Sequence, residues 1–150
     1  MTDVLAPCPG RVVPISTTPD PVFAAEMVGP GVTIEPEPGL TTVVSPIAGT
    51  VVKVHPHAFI VLGADGVGIL VHLGINTVRL EGQGFEVLAE EGSTVEAGAP
   101  MVRWDPAGIS GDGISTMVPV VAMDRPKGSV PDPADGATTT FGDLLFTIDA

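Results

Sequence analysis

The sequence predicts an all-β fold, an antiparallel sandwich or barrel of many short strands, on two observations. The 150 residues include 19 glycines and 16 prolines, which are spread along the chain rather than pooled in one tail. Between them lie short β-branched runs, and this alternation of apolar runs with turn-forming residues is typical of strands joined by tight turns. The predicted strands are residues 28–34, 41–44, 50–54, 58–62, 67–71, 118–122 and 144–148.

Helix signals are weak along the whole chain. One-turn helices are predicted near Pro21–Met27 and Phe85–Ala89, where the two-residue period of a strand breaks. Residues 124–140 are rich in Pro, Gly, Asp and Thr, which predicts a long surface loop before the last strand. No linker divides the chain, so residues 1–150 are predicted to form one domain, a length that buries about two-thirds of its surface.

Two phrases of the sequence share the form small-Pro-x-x-Gly-x-Val-Val, at residues 6–13 and 45–52, and a third turn and strand follow at 91–102. Together they resemble the hammerhead of biotinyl and lipoyl carrier domains, which carry their cofactor on a lysine in a tight hairpin. Here Lys53 lies within a predicted strand and Lys127 follows a proline. Covalent biotin or lipoate is therefore not expected.

Composition and charge exclude several classes of protein. Six Lys and Arg stand against 18 Asp and Glu, a net charge of −12, which argues against nucleic-acid binding and favours encounters with a basic protein partner. Cys8 is the only cysteine, so no disulfide within the chain can form and a reducing compartment is expected. The sequence shows neither a signal peptide nor an apolar run of about 18 residues. These features predict a cytoplasmic protein.

All three histidines lie in residues 55–77, which predict a β-hairpin around the turn Gly63–Gly66. If these four residues form the loop and the residues on either side of it pair, His57 lies directly across from His72, with Cβ atoms about 4.5–5.5 Å apart. His55 shares the face of His57, because alternate residues of a strand point the same way. Two facing imidazoles repel when both are protonated, so at least one is expected to titrate below about 6.5.

Three histidines on one hairpin allow two kinds of chemistry. In the first, His55, His57 and His72 supply imidazole ligands to zinc, which accepts three protein ligands and a water, and the chain is a zinc-binding protein or a hydrolase. In the second, a neutral histidine attacks a phosphoryl group while its neighbour donates a hydrogen bond to the phosphoryl oxygens. A binding module with the same fold that accepts no phosphate is a third interpretation.

Residues 66–78, Gly-Val-Gly-Ile-Leu-Val-His-Leu-Gly-Ile-Asn-Thr-Val, favour the second chemistry. They resemble the active-site signature of the glucose-type IIA domains of the bacterial sugar phosphotransferase system, a Gly and a short apolar run followed by His-x-Gly-x-x-Thr-Val. The resemblance covers nearly the whole chain, and its motifs follow one another in the same order as in the family. Its other motifs lie at residues 6–10, 20–24, 27–31, 45–50, 57–59, 80–85, 89–92 and 116–121.

The resemblance implies an antiparallel β-sandwich of the duplicated hybrid motif type, with a shallow apolar active face. It assigns the role of phosphoacceptor to His72, which takes a phosphoryl group from the phosphohistidine of HPr and passes it to a cysteine of a sugar-specific IIB domain. It assigns to His57 the stabilisation of the transferring phosphate. It implies that this transfer needs no cofactor and no metal.

The family also has regulatory partners, among them transporters and metabolic kinases. In one such complex, zinc is shared between the two active histidines and a carboxylate of the partner. By resemblance, regulatory binding and a partner-dependent zinc at His57 and His72 are further expectations for this chain.

The family pattern also predicts a docking surface around the two histidines. Its predicted members are Val22, Phe23, Met27, Val28, Phe59, Ile75 and Asn76. The sequence departs from the pattern at two places: His55 stands where relatives usually have Thr, and Asn76 stands where they often have Asp. The first departure puts an ionisable ring in place of a hydroxyl near His57, and the second changes the rim of the docking surface.

Overall fold

The computed structural model of the protein describes residues 1–149, and most of its regular structure is β. Its strands are β1 (Thr2–Leu5), β2 (Gly10–Pro14), β3 (Gly31–Pro36), β4 (Thr41–Val44), β5 (Gly49–His55), β6 (Ala58–Leu62), β7 (Gly68–His72), β8 (Phe85–Val87), β9 (Thr94–Val95), β10 (Pro100–Trp104), β11 (Val118–Ala122), β12 (Thr138–Thr139) and β13 (Leu144–Ile148). The helical parts are α1 (Pro21–Ala24) and 3-10 turns at Ile15–Thr17, Thr77–Leu80 and Pro106–Gly108. The all-β prediction is confirmed.

The strands form three sheets in which every pair is antiparallel. The largest has eight strands in the order β12-β2-β3-β11-β7-β6-β5-β9. A second sheet has the order β4-β10-β8, and β1 pairs with β13. Since β5, β6 and β7 are consecutive both along the chain and in the sheet, they form a meander, and its two hairpins carry all three histidines.

One apolar core joins the three sheets. Its buried side chains include Ile34 and Phe59 from the eight-stranded sheet, Trp104 from the three-stranded sheet and Phe146 from the β1–β13 pair. Burial of apolar surface is the main favourable term in folding, so a core shared in this way holds the sheets together. The ring of Trp104 also stacks on Phe85, with the ring centroids 5.8 Å apart.

Strand β11 is buried along its whole length because both of its faces are covered. One face belongs to the main core. On the other face, Val121 packs with Ile15, Phe23 and Ile75 in a second set of buried side chains, here called the small cluster. Phe23 comes from α1 and Ile75 from the turn after β7, so the small cluster fixes both of these segments against the sheet.

Four of the predicted strands, at 41–44, 58–62, 118–122 and 144–148, match β4, β6, β11 and β13 at both ends. The other three differ from β3, β5 and β7 by one to three residues at their ends. The predicted helical turn near Pro21–Met27 is present as α1. Residues 124–140 form a long loop as predicted, apart from the two residues of β12.

The predicted helix near Phe85–Ala89 is wrong. Phe85–Val87 is strand β8, which pairs with β10, and the helical turn lies earlier, at Thr77–Leu80. Pairing with a strand that is distant in sequence overrides a weak local signal. Within residues 1–149, no helix combines the length and the apolar character that crossing a membrane requires.

Replacing Phe59 by Ala tests the main core. The Phe59 side chain is 0% exposed, so its removal is expected to lower the free energy of unfolding by about 3–5 kcal/mol. Urea denaturation followed by the fluorescence of Trp104 measures the change. Val52→Ala, at a position on β5 that is 44% exposed, is the control and is expected to change stability by about 0.5 kcal/mol or less. Equal stabilities of the two variants would contradict the buried position of Phe59.

Candidate functional site

The three histidines lie together at one end of the β5–β6–β7 meander. His72 is the last residue of β7, His55 is the last residue of β5, and His57 lies in the two-residue turn between β5 and β6. The ring centroids of His57 and His72 are 5.3 Å apart, and the ring planes meet at 66°, edge to face. The two rings therefore meet as predicted.

The register that predicted this meeting is wrong by one residue. In the structure Ala58, not His57, pairs with His72. The cause lies at the other end of the hairpin, where Gly63 N–H donates to Val67 O at 2.9 Å and leaves a three-residue loop that ends at Gly66. Gly66 has φ of 88°, and a turn followed by a residue in this left-handed region is a common hairpin connection.

His57 reaches His72 from the turn rather than from the strand. Leu73 N–H donates to His57 O at 2.7 Å, which holds the turn against the end of β7. A turn residue is not bound by the alternation of side chains along a strand, so its ring can lie beside His72 although Ala58 occupies the paired position. The pair thus depends on a backbone hydrogen bond at the end of the sheet.

The ring of His72 is anchored through Nδ1, which donates a hydrogen bond to Gly74 O. A carbonyl oxygen can only accept, so the proton lies on Nδ1 and the neutral ring has its free lone pair on Nε2. That lone pair can attack an electrophile or bind a metal ion. The hydrogen bond therefore leaves His72 with one reactive nitrogen.

The turn after His72 explains the spacing His-x-Gly-x-x-Thr. Gly74 has φ of 86°, and a Cβ at this position would lie 2.6 Å from Ser115 O and 2.5 Å from Cγ2 of Thr77. Only glycine fits, since both the backbone angle and the space exclude a side chain. The buried Thr77 then closes the turn, because its Oγ1 donates to Leu73 O at 2.7 Å.

The loop before the neighbouring strand β11 holds the same turn. Ile75 and Ser115 exchange two backbone hydrogen bonds, with N–O distances of 2.8 and 3.2 Å. Asn76 has φ of 62°, a conformation that asparagine adopts more readily than most residues. Its Nδ2 donates to Gly113 O at 2.7 Å. The amide of Asn76 is thus tied to this loop.

Helix α1 places an aromatic ring against His72. Asp20 caps the helix, accepting hydrogen bonds from Val22 N–H at 2.8 Å and Phe23 N–H at 3.3 Å, and Pro21 occupies the first helical position. The ring of Phe23 packs against the His72 ring with centroids 5.3 Å apart at 60°. An Asp followed by Pro is a recognisable helix start, so the sequence contains a signal for this cap, although no role was predicted for Asp20.

Both rings of the pair have a lowered pKa. Burial lowers the pKa of His72 below the usual 6.5, and the hydrogen bond to Gly74 O and the charge of Asp20 raise it by less. Burial is also the main cause that lowers the pKa of His57, and the charges of His72 and then His55 lower it further. Both rings are therefore mainly neutral at pH 7, the state in which Nε2 of His72 is nucleophilic.

The predicted docking surface is only partly at the surface. Val22 and Met27 are 44% and 68% exposed, and Val28 and Asn76 are half-buried. Phe23 is buried, but its ring contacts that of His72. Val78 in the neighbouring 3-10 turn is 58% exposed and was not predicted, because the run His-Leu-Gly-Ile-Asn-Thr-Val does not tell which apolar residues face solvent.

The prediction that Phe59 and Ile75 belong to the docking surface is wrong. Phe59 is 0% exposed and points into the main core together with Val61, since alternate residues of β6 share a face. Ile75 is 1% exposed and belongs to the small cluster beneath the turn. Both residues support the site from below and do not contribute to its surface.

The three histidines do not form a three-ligand zinc site. The rings of His55 and His57 are nearly parallel, with centroids 5.7 Å apart and planes at 14°. Among residues 1–149, no group of three or more His, Cys, Asp or Glu side chains is arranged to hold a metal ion. The interpretation as a zinc protein or hydrolase is therefore not supported.

A family profile, curated relatives and a solved structure show the family of this chain. The profile of the family described as phosphoenolpyruvate-dependent sugar phosphotransferase system, EIIA 1, matches residues 2–127. The glucose-specific EIIA component of Staphylococcus epidermidis is 42% identical over 120 residues, which are 79% of this chain and 71% of that protein. The solved glucose permease IIA of Mycoplasma capricolum is 28% identical with a TM-score of 0.82, over 97% of this chain and 94% of that one.

Some relatives are much longer proteins. The glucose-specific EIIBCA component of Corynebacterium glutamicum is 39% identical over 129 residues, which are 85% of this chain but 19% of that protein. The mannose-specific EIIBCA component of the same species is matched over 21% of its length. The chain thus spans about a fifth of these two relatives.

The lowered pKa values predict how stability depends on pH. As the pH falls below 6.5, the unfolded chain binds protons at positions 57 and 72 that the folded chain does not, so the free energy of unfolding decreases until the pH reaches the lowered values. His72→Gln removes one of these groups and also a charge that lowers the pKa of His57. The loss of stability between about pH 7.5 and 5.5 is expected to be smaller in the variant. Urea denaturation at the two pH values measures it, and an equal loss in both proteins would contradict the burial of His72.

Proposed function

The chain belongs to the EIIA 1 family of the phosphoenolpyruvate-dependent sugar phosphotransferase system, and from this membership we propose that it is a phosphocarrier. It takes a phosphoryl group from the phosphohistidine of HPr onto Nε2 of His72 and passes it to a cysteine of a sugar-specific IIB domain. The observation that carries the proposal is the hydrogen bond from Nδ1 of His72 to Gly74 O, because it leaves Nε2 free to attack.

The reaction is a displacement between two imidazoles. The lone pair on Nε2 of His72 forms a bond to phosphorus while the nitrogen–phosphorus bond of the donor breaks, and the donor ring keeps that electron pair. The His72 ring gains positive charge in this step, and Gly74 O stabilises it by accepting a stronger hydrogen bond from Nδ1. In the second step, the thiolate of the IIB cysteine forms a sulfur–phosphorus bond and the electron pair returns to Nε2.

His57 stabilises the phosphoryl group as it moves. Its ring lies edge to face with that of His72, at a centroid distance of 5.3 Å, and a neutral imidazole has one N–H to donate to a phosphoryl oxygen. A donor held in place before the reaction stabilises developing negative charge without reorganisation. The ring of Phe23, packed on His72 from the side of α1, limits access of water to the labile bond.

The protein partners dock on the face around the two rings. Val22 and Met27 lie at and beside α1, and Val78 lies in the turn after His72, so these exposed side chains can supply apolar area to this face. Val28 and Asn76 are half-buried. The net charge of −12 favours partners with positive charge around their active residue. The names of the Corynebacterium relatives join B, C and A components in one protein, which supports a IIB domain as the acceptor.

Two imidazoles are fewer ligands than zinc requires, so a metal ion at His57 and His72 would need a further ligand from a regulatory partner such as a transporter or a metabolic kinase. The transfer itself needs no metal. We place the reaction in the cytoplasm, where a lone buried thiol such as that of Cys8 stays reduced.

The proposal is tested by intact mass after incubation with phosphoenolpyruvate, enzyme I and HPr. The wild-type chain is expected to gain one phosphoryl group that is labile in acid and stable in base, and His72→Ala is expected to gain none. His57→Gln is expected to accept the group and to pass it to a IIB domain on the order of 100-fold more slowly, since it loses one preorganised donor.

The exposed variant Val52→Ala is the control and is expected to behave as the wild type. A phosphoryl group on His72→Ala would overturn the assignment of the acceptor. A wild-type chain that gains no mass under these conditions would overturn the proposed function.

A further inference from the structure

The two rings of the proposed site are held by different means. The ring of His72 is fixed by its hydrogen bond to Gly74 O and by its contact with the ring of Phe23. Within residues 1–149, no hydrogen bond joins the ring of His57 to another residue, and its perturbed pKa has no hydrogen bond among its causes. The torsion that turns a histidine ring about its Cβ–Cγ bond is broad, so this ring needs another restraint.

The ring of His55 lies where such a restraint is needed. His55 ends β5, where it pairs with Ala58, and the turn that holds His57 follows it. The two rings are nearly parallel, at 14°, with centroids 5.7 Å apart. His57 therefore contacts two rings, the nearly parallel ring of His55 and the steeply inclined ring of His72. These two contacts together define the plane of the His57 ring.

We propose that His55 is a positioning residue for phosphoryl transfer, which stacks on His57 and sets the plane in which the His57 N–H meets the phosphoryl oxygens. The inference rests on the proposed function of the His57–His72 pair. It goes beyond that function because it gives a role to the third histidine, which touches neither the phosphoryl group nor the nucleophile. A hydrogen-bond donor that is misplaced by even about 1 Å loses much of its effect on a reaction rate.

His55 affects His57 in two ways, which substitutions can separate. Its ring supplies the stacked surface, and its charge is one of the causes that lower the pKa of His57. Phe in place of His55 keeps a flat ring and removes the charge, whereas Ala removes both. If the stacking is what positions His57, the Phe variant behaves like the wild type and the Ala variant does not.

The rate of phosphoryl transfer from His72 to the IIB cysteine tests whether stacking positions His57. Phosphorylated wild type, His55→Phe and His55→Ala are mixed with increasing concentrations of a IIB domain. The maximal rate is expected to fall about tenfold in His55→Ala and to stay within about twofold in His55→Phe, with the half-saturating concentration unchanged in both. Val52→Ala, on the same strand and away from the rings, is the matched control, and thermal unfolding checks that each variant is folded.

A second readout needs no partner protein. The chain has three histidines, so the ring nitrogens of all of them can be followed in long-range 1H–15N spectra, and His57→Gln identifies those of His57. In His55→Ala, the chemical shifts of the His57 ring nitrogens are expected to move towards the averaged values of a free imidazole that exchanges between its two tautomers. In His55→Phe, the His57 ring nitrogens are expected to keep the chemical shifts that they have in the wild type.

The outcomes separate this inference from the proposed function. An Ala variant with wild-type rates and spectra, or a Phe variant as slow as the Ala variant, would overturn the positioning role. A raised half-saturating concentration with an unchanged maximal rate would assign His55 to the docking surface and also overturn it. If the wild-type chain accepts no phosphoryl group, the proposed function fails, and the spectra still decide whether His55 orients His57.

Discussion

The hydrogen bond from Nδ1 of His72 to Gly74 O is the interaction on which the site depends. It fixes the tautomer and leaves the lone pair on Nε2, and in the proposed transfer it would stabilise positive charge on the ring. It forms only because the chain turns sharply at Gly74, where Thr77 and Ser115 leave no room for a Cβ. The family signature is therefore a description of one turn: glycine allows the carbonyl to face the ring, and the threonine hydroxyl closes the turn behind it.

Burial of the small cluster has an electrostatic effect as well as a structural one. Phe23 and Ile75 pack on the outer face of β11 at Val121, and this packing brings α1 and the turn after β7 around His72. Loss of water around the ring makes its charged form costly and lowers its pKa, despite the opposing charge of Asp20. Apolar packing that stabilises the fold therefore also keeps the ring of His72 neutral.

Much of the fold and the site could be predicted from the sequence, and the errors have physical causes. The spacing of turn residues predicted both ends of four strands correctly. The clustering of the three histidines on one hairpin predicted where the candidate site lies. The hairpin register was wrong because Asp-Gly pairs occur in loops of several lengths, and the choice depends on Gly66 adopting a positive φ. Phe59 and Ile75 were placed at the surface because motif position does not reveal which side of a strand or turn faces solvent. The stacking of His55 on His57 depends on the geometry of one turn, which no periodicity describes.

The loop at Gly66 affects the position of the histidines although it lies far from them. Gly66 is exposed, and a Cβ there would meet nothing within 4 Å, yet its backbone has φ of 88°. The five-residue strands place it about 17 Å from the histidines. Its conformation nevertheless selects the register that turns Phe59 inward and leaves His57 in the turn. A residue with a side chain at this exposed position would fit the space but strain the loop that sets the register of the histidines at the opposite end of the hairpin.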